Sequence, residues 1–400
     1  MKSEWKVYSV QELIDLDMLE EPMDGNHGGI HPKSSDYVSS GVPFIMANNL
    51  SNGKVDYDNC AFISEQQATT LRKGFAHPGD VLLTHKATIG RTAIVGDEYD
   101  TIILTPQVTY YRVKHGISNR YLKYYFDSSK FQQTLSNWAG SGSTRAYLGI
   151  TAQRKLPIVL PPMETQEKIA GLCGALDEKI YLNNTINNNL EQQAQALVNE
   201  YCSSTNSEVA LGSIMNFVNG FAFQSKSYQK SGKYQIITIK NVQDGKIDSQ
   251  GAAYINEVPT KMKAECYLQV GDILLSLTGN VGRVGIVFEE NLLLNQRVAK
   301  FTSPKDVLPL LYFYFRLPET KTSLETIAKG TAQQNLSPIE TLKLNFPYDE
   351  NKAIILSRDL KPMFDSIVAN NIESSKLAQI RDCLLPMLMS GELDVSNIDL

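Results

Sequence analysis

The chain has 400 residues, 42% of them hydrophobic and 20% charged, with a formal net charge of −5. That length allows two or three domains with cores of their own. No apolar run approaches the roughly 20 residues of a membrane span, and Met1 to Val10 lacks the apolar stretch of a secretory leader, so a soluble cytoplasmic protein is expected. The five cysteines (Cys60, Cys173, Cys202, Cys266, Cys383) are odd in number and without CxxC spacing. They read as free thiols, with no disulfide framework and no zinc site.

Charge is unevenly spread. Residues 1–71 carry 4 basic and 11 acidic side chains, and residues 72–160 carry 12 and 5. The second stretch is a basic lobe suited to a polyanion. Within residues 1–160, Val81 to Leu83, Ile102 to Leu104 and Val108 to Tyr111 read as strands, and Asn52-Gly53 as a turn. Tyr121 to Leu135 reads as a helix. Pro161-Pro162 then closes a strand and admits a helix behind it, where proline is tolerated. From Glu164 to about Tyr201 the spacing predicts one long helix, in an acidic segment, 161–206. Residues 207–347 are mixed again, with strands at Ile236 to Ile239, Ile273 to Leu275 and Val284 to Phe288, a turn at Asp244-Gly245 and a helix over Pro309 to Leu324. Pro347 precedes a second long helix, Glu350 to about Met389, within 348–400.

The same order occurs twice because the sequence does. Val42 to Asp56 (VPFIMANNLSNGKVD) aligns with Tyr234 to Asp248 (YQIITIKNVQDGKID) at an offset of 192, and Pro78 to Val95 aligns with Val270 to Val287 at the same offset. Gly142 to Leu148 answers Gly330 to Leu336 at 188. A period near 190 far exceeds solenoid repeats and is the size of a domain. Four segments follow, 1–160, 161–206, 207–347 and 348–400: a mixed domain and a long helix, written twice.

In the helices, Leu176, Ile180, Asn183, Leu190 and Leu197 form a narrow stripe, as do Met363, Ile367, Asn370, Leu377 and Leu384. This is a seam of coiled-coil type, with Asn183 and Asn370 at matching places where a polar side chain can set register. Neither stripe can stay exposed, so the helices are expected to pair with each other, antiparallel about a pseudo-two-fold axis. About 38 residues at roughly 1.5 Å rise gives a rod on the order of 55 Å.

Catalytic constellations are lacking. There is no GxxxxGK[ST] loop. Gly279 to Gly285 is glycine-rich but lies between two strands, which reads as a tight turn. Pro78 to Lys86 resembles a nuclease pattern without its second carboxylate. His27 and His31 sit among glycines with no third ligand nearby, which reads as a turn and not a metal site. The chain reads as a non-catalytic binder.

Several strings, in order, resemble the specificity subunit of type I restriction–modification systems. In the second repeat these are Asn219 to Tyr228 (NGFAFQSKSY), Ile237 to Gly245 (ITIKNVQDG), Gly271 to Val287 (GDILLSLTGNVGRVGIV), Asn295 to Ala299 (NQRVA) and Gly330 to Ser337 (GTAQQNLS). The first repeat matches through Pro78 to Val95, Thr105 to Gln107, Gly142 to Leu148 and Leu160 to Ala170 (LPPMETQEKIA). It departs at Thr84 to Thr88, where the second repeat has small residues. The resemblance implies an α+β fold of two similar mixed α/β target-recognition domains separated by an antiparallel pair of long coiled-coil helices. Each domain would read half of a bipartite site in double-stranded DNA, and the helices would fix the gap. It also implies two modification (methyltransferase) subunits as partners, which bind S-adenosylmethionine and methylate adenine, and a restriction (translocase/nuclease) subunit that can join them. No cofactor is expected in this chain. A rival reading is a scaffold that assembles partners through its helices without touching DNA.

Groove reading needs polar and basic side chains on loops beside a rigid sheet. Matched turns of the two repeats give Asn48, Asn49, Lys86, Arg91, Ser143, Thr144 and Arg145 in the first domain. They give Lys240, Asn241, Thr278, Asn280, Arg283, Thr331, Gln333 and Gln334 in the second. Residues shared between repeats suit phosphate, and those that differ suit bases.

Overall fold

A computed structural model of the chain describes residues 5–140, 146–329, 335–396 and 398. It divides into two units, one of residues 1–178 with 377–400 and one of residues 179–376. Each unit holds one mixed domain with one stretch of each long helix.

In the first unit a six-stranded sheet runs in the order Met23–Asp24, Val108–Tyr111, Val81–Lys86, Thr88–Ile94, Gly53–Val55, Leu50–Ser51. In the second unit five strands repeat that order: Asn216–Asn219, Val298–Thr302, Ile273–Ser276, Val284–Ile286, Gly245–Lys246. The pairing senses repeat too. Thr88–Ile94 and Val284–Ile286 are each antiparallel to the strand before them and parallel to the short strand after the turn dipeptide. Gly53 and Gly245 take φ of 73° and 88°, which a side chain resists. A second sheet in each unit carries another parallel pair, Val42–Ile45 with Ile102–Leu104 and Tyr234–Ile237 with Leu292–Leu294. The duplication in sequence is thus a duplication of topology.

Both expected domain helices are broken. Tyr121 to Leu135 becomes Asn119–Asp127 and Ser129–Trp138, because Ser128 is extended (φ −60°, ψ 140°) and its hydroxyl caps the second piece at Phe131 N. Pro309 to Leu324 becomes Leu308–Phe315 and Pro318–Lys329, and Pro318 opens the second piece.

The long helices span Met163–Ser204 and Glu350–Ser390. Within each unit their stretches run antiparallel. In the first unit Lys168 reaches Ser396 and Asp177 reaches Arg381. In the second, Asn183 reaches Asn370 and Glu373, and the Tyr201 hydroxyl accepts from Asp349 N. The seam differs from expectation near its far end. Leu197 is exposed, and Asn187, Ala194, Val198 and Tyr201 are buried instead. Leu176, Ile180, Leu190, Met363, Leu377 and Leu384 are half-buried, and Ile367 is buried. The reason is that these helices do not pack on each other alone. Ala194, Val198, Leu360, Phe364 and Ile367 share one apolar cluster with Leu310 to Phe313 of the second domain. Ile169, Cys173, Leu385 and Leu388 share another with Tyr121 to Phe126 of the first. Each buried large side chain contributes about 1.5–3 kcal/mol, so domain and helix stretch are stabilised as one body.

Asn183 is fully buried, and its amide donates to Asn370 O, Glu373 Oε2 and Ser374 Oγ at 3.4, 2.7 and 3.3 Å. Asn370 in turn donates to Asn187 Oδ1 at 2.8 Å. This polar layer fits few registers, as expected of an Asn in such a seam. All five cysteines are unpaired. Among the described residues, no helix is long and apolar enough to cross a membrane.

Candidate nucleic-acid interface

The first domain presents its polar residues around one hairpin. Strand Val81–Lys86 turns through Ala87, held at φ 64°, into Thr88–Ile94. Lys86 is exposed, with its ammonium 6.0 Å from the Tyr147 ring centre. The register slips between Ile89 and Thr92, where Gly90 leaves room for Gln132, whose amide donates to Gly90 O at 2.8 Å. That slip lets Arg91 N donate to Thr84 Oγ1 at 2.9 Å, while the guanidinium reaches Ala47 O at 3.3 Å.

Asn48 and Arg91 both line a cleft of about 540 Å³ that also takes in Lys123, Asp177 and Arg381. Lys86 lies elsewhere, in a cleft of about 330 Å³ with His27, His31, Thr105 and Gln107. The first cleft is floored by an ion cluster. Asp177 of the first long helix accepts from Arg381 Nη1 at 2.5 Å, Tyr124 Oη at 2.7 Å and Lys123 Nζ at 3.3 Å. Burial alone would raise the Asp177 carboxyl. The Lys123 charge and the bonds from Tyr124 and Arg381 outweigh it and hold the group below the ordinary carboxylate value. The second unit makes the equivalent grip with other residues: Arg316 pairs with Glu191 of the first long helix and with Asp244 of the turn dipeptide.

In the second domain Arg283 donates to Gln243 Oε1 at 2.7 Å, and Gln243 donates to Lys240 O at 2.9 Å. Arg283 and Asn280 line a cleft of about 300 Å³ with Lys321 and Glu325. Asn280 and Lys240 are exposed; Thr278 is half-buried and bridges Asn335 through the backbone.

Two candidates are taken up by the fold. Asn49 is buried, with Oδ1 accepting from Met46 N at 2.9 Å and Nδ2 donating to Asn59 O at 3.0 Å. Asn241 does the same with Thr238 N at 2.9 Å and Asp248 O at 2.9 Å. Both side chains close a turn and have little left for DNA, so their recurrence at matched places reflects the shared fold. Ser143, Thr144, Arg145, Thr331, Gln333 and Gln334 lie outside the described residues.

Sequence reasoning did not choose Gln107, Gln243 or Lys321 as DNA-contact candidates, and it read His27 and His31 as a turn. Gly28–Ile30 does form a 3-10 turn. Yet His27 is also held by Asp24 (Nε2 to Oδ2, 2.7 Å), and His31 packs on Phe44 at 5.5 Å. Burial would raise the Asp24 carboxyl, but hydrogen bonds from Lys73 and His27 override it and keep it low. Beside them His85 is fully buried, and burial pushes its imidazole below the ordinary pKa. Its Nδ1 donates to Leu148 O at 3.0 Å, which leaves Nε2 as a buried acceptor without a partner among the described residues. A signal was present: the stretch from Asp24 to Tyr37 is four residues longer than its counterpart from Asn219 to Tyr228.

The arrangement has relatives. A family described as the type I restriction modification DNA specificity domain matches residues 2–192 and again 204–379. A putative type I restriction enzyme specificity subunit of Methanocaldococcus jannaschii, MjaX, is 23% identical over 89% of this chain and 88% of its own length. The MjaIX specificity subunit of the same organism is 26% identical over 93% and 91%. The crystal structure of a type I restriction–modification S subunit from M. genitalium superposes with a TM-score of 0.57 at 15% identity, over 96% of both chains, a likeness of fold.

Proposed function

The chain belongs to the type I restriction–modification DNA specificity family, whose domain it carries twice, and on that premise we propose that each domain reads one half of a bipartite site in double-stranded DNA while the paired helices fix the gap. The observation that carries this reading is one sheet order built twice, with different side chains at the same turns. Lys86 stands on the first hairpin where Thr278 stands on the second, and Lys123–Asp177 grips the helix in one unit where Arg316–Glu191 grips it in the other. A reader of two unlike half-sequences needs a common scaffold and unlike contacts. Two half-sites on one face of DNA lie about 34 Å apart.

The chain itself performs no chemistry in this scheme. Two modification subunits bind S-adenosylmethionine, turn the target adenine out of the helix and methylate it, and a restriction subunit can join them. The acidic long-helix segments face protein partners and not phosphate. The complex works in the cytoplasm.

The test is DNA binding by the complex reconstituted with its modification subunits, measured against salt. Phosphate neutralisation gives a linear fall of log K with log salt, together with preference for one bipartite sequence. Affinity indifferent to salt and to sequence would favour a scaffold that never touches DNA.

A further inference from the structure

At the cleft beside Lys86 the two domains differ in segment length as well as in side chains. Thr105 follows strand Ile102–Leu104, and its N donates to Ile45 O at 3.0 Å; Asn295 holds the same place in the second domain, with its N on Ile237 O at 3.1 Å. There Asn295 Nδ2 is engaged by the Tyr228 hydroxyl at 3.3 Å, and Phe221 and Phe223 pack edge-to-face at 5.1 Å inside an apolar cluster. In the second domain Phe221, Phe223 and Tyr228 occupy this region. In the first domain the longer segment from Asp24 to Tyr37 lines the cleft through His27, Gly28, His31 and Tyr37, and Thr105 is 5% exposed with a buried hydroxyl that has no partner among the described residues. His31, which lines the same cleft, also has its Nδ1 buried without a partner among the described residues. Burying a polar atom without a partner is costly, so two of them on residues that line one opening mark a site that something else can complete.

The chemistry of the walls restricts what completes it. Met46, Tyr37 and Pro106 supply apolar and aromatic surface. Lys86 is the one lysine or arginine that lines it among the described residues, and His27 is held by Asp24. A phosphate would ask for more positive charge and less hydrocarbon. Base edges inside a duplex are read by side chains that project into a groove; a concave cleft takes a group that projects from the DNA. At about 330 Å³ it has the size of a small-ligand site.

We propose that this cleft receives a nucleobase turned out of the duplex at the half-site of the first domain. The base lies against Tyr37 and Met46, with the Thr105 hydroxyl and His31 Nδ1 bonding its polar edge. The inference rests on the DNA-reading function proposed above.

Its test uses the reconstituted complex and duplexes that carry 2-aminopurine at successive positions of the first half-site. Unstacking raises the fluorescence of this probe, and the methylated adenine marks the position opened by the modification subunits. A second emissive position, apart from the methylated adenine, is expected. Thr105→Val should quench that second signal and weaken cognate binding by about 2–10-fold, the worth of one neutral hydrogen bond, while leaving the signal at the methylated adenine intact. The replacement is isosteric and removes a hydroxyl without a partner, so the melting temperature should hold or rise. His31→Phe, which keeps a ring on Phe44, should act in the same direction. Specific binding with no second emissive position, or a second signal indifferent to Thr105→Val and His31→Phe, would overturn the cleft and leave DNA reading standing. Loss of sequence preference in the unaltered complex would overturn both.

Discussion

Asp177→Ala is the most informative single perturbation of the framework. The carboxylate holds three donors from two directions, Lys123 and Tyr124 of the domain and Arg381 of the second long helix. Side-chain exposures are 22% for Asp177, 28% for Arg381 and 9% for Lys123. Breaking a fully buried pair costs about 3–5 kcal/mol, and Lys123 keeps Asp127 at 3.0 Å after the change. The loss should therefore be about 2–3 kcal/mol. At about 2–4 °C per kcal/mol for a unit of this size, calorimetry should show the melting of the first unit fall by roughly 4–12 °C. Asp365→Ala is the control: its ion pair with Lys361 is 56% exposed on both sides, and it should cost no more than about 0.5 kcal/mol. The folded Asp177 carboxyl lies below its unfolded value of about 3.9. Its contribution is thus full above that value and lost as pH falls through the folded one. The gap between wild type and Asp177→Ala should stay constant from neutral pH to about pH 5 and close below about pH 4. A variant that melts like the wild type, or like Asp365→Ala, would refute the grip.

Two further outcomes follow from the same geometry. Asn49→Ala and Asn241→Ala should each destabilise their own unit by about 1–2 kcal/mol, through loss of a turn closure, without changing which bases are preferred; denaturant unfolding and methylation-site mapping check the two halves of that statement. His85 is buried neutral with a lowered pKa, so stability it lends above its unfolded value of about 6.5 is lost as pH falls below that value. The wild type should therefore melt earlier at pH 5.5 than at pH 7, and His85→Gln should flatten that decline in a thermal scan.

The duplication and both long helices were legible because they rest on long-range identity and sustained period. Pro78 to Val95 against Val270 to Val287 foretold two equivalent hairpins, and both exist. The seam was misread at Leu197 because apolar size was taken as the guide. The buried face there is made of Asn187, Ala194 and Val198, small or polar residues, and Ala194 and Val198 share a cluster with Tyr312 and Phe364. Asn49 and Asn241 looked available for DNA because a turn asparagine and a contact asparagine share one letter; only the hydrogen bonds tell them apart. The cleft at Thr105 was hidden for a different reason. It brings together residues far apart in the chain, from His27 to Gln107, and only the unequal lengths before Tyr37 and Tyr228 hinted at it.

The most direct measurement exchanges residues 207–347 for the corresponding domain of another member of the family and maps methylated adenines across a genome. One half of the recognised sequence should change, with the other half and the gap kept as before. Alteration of both halves, or of neither, would contradict two independent readers on one frame.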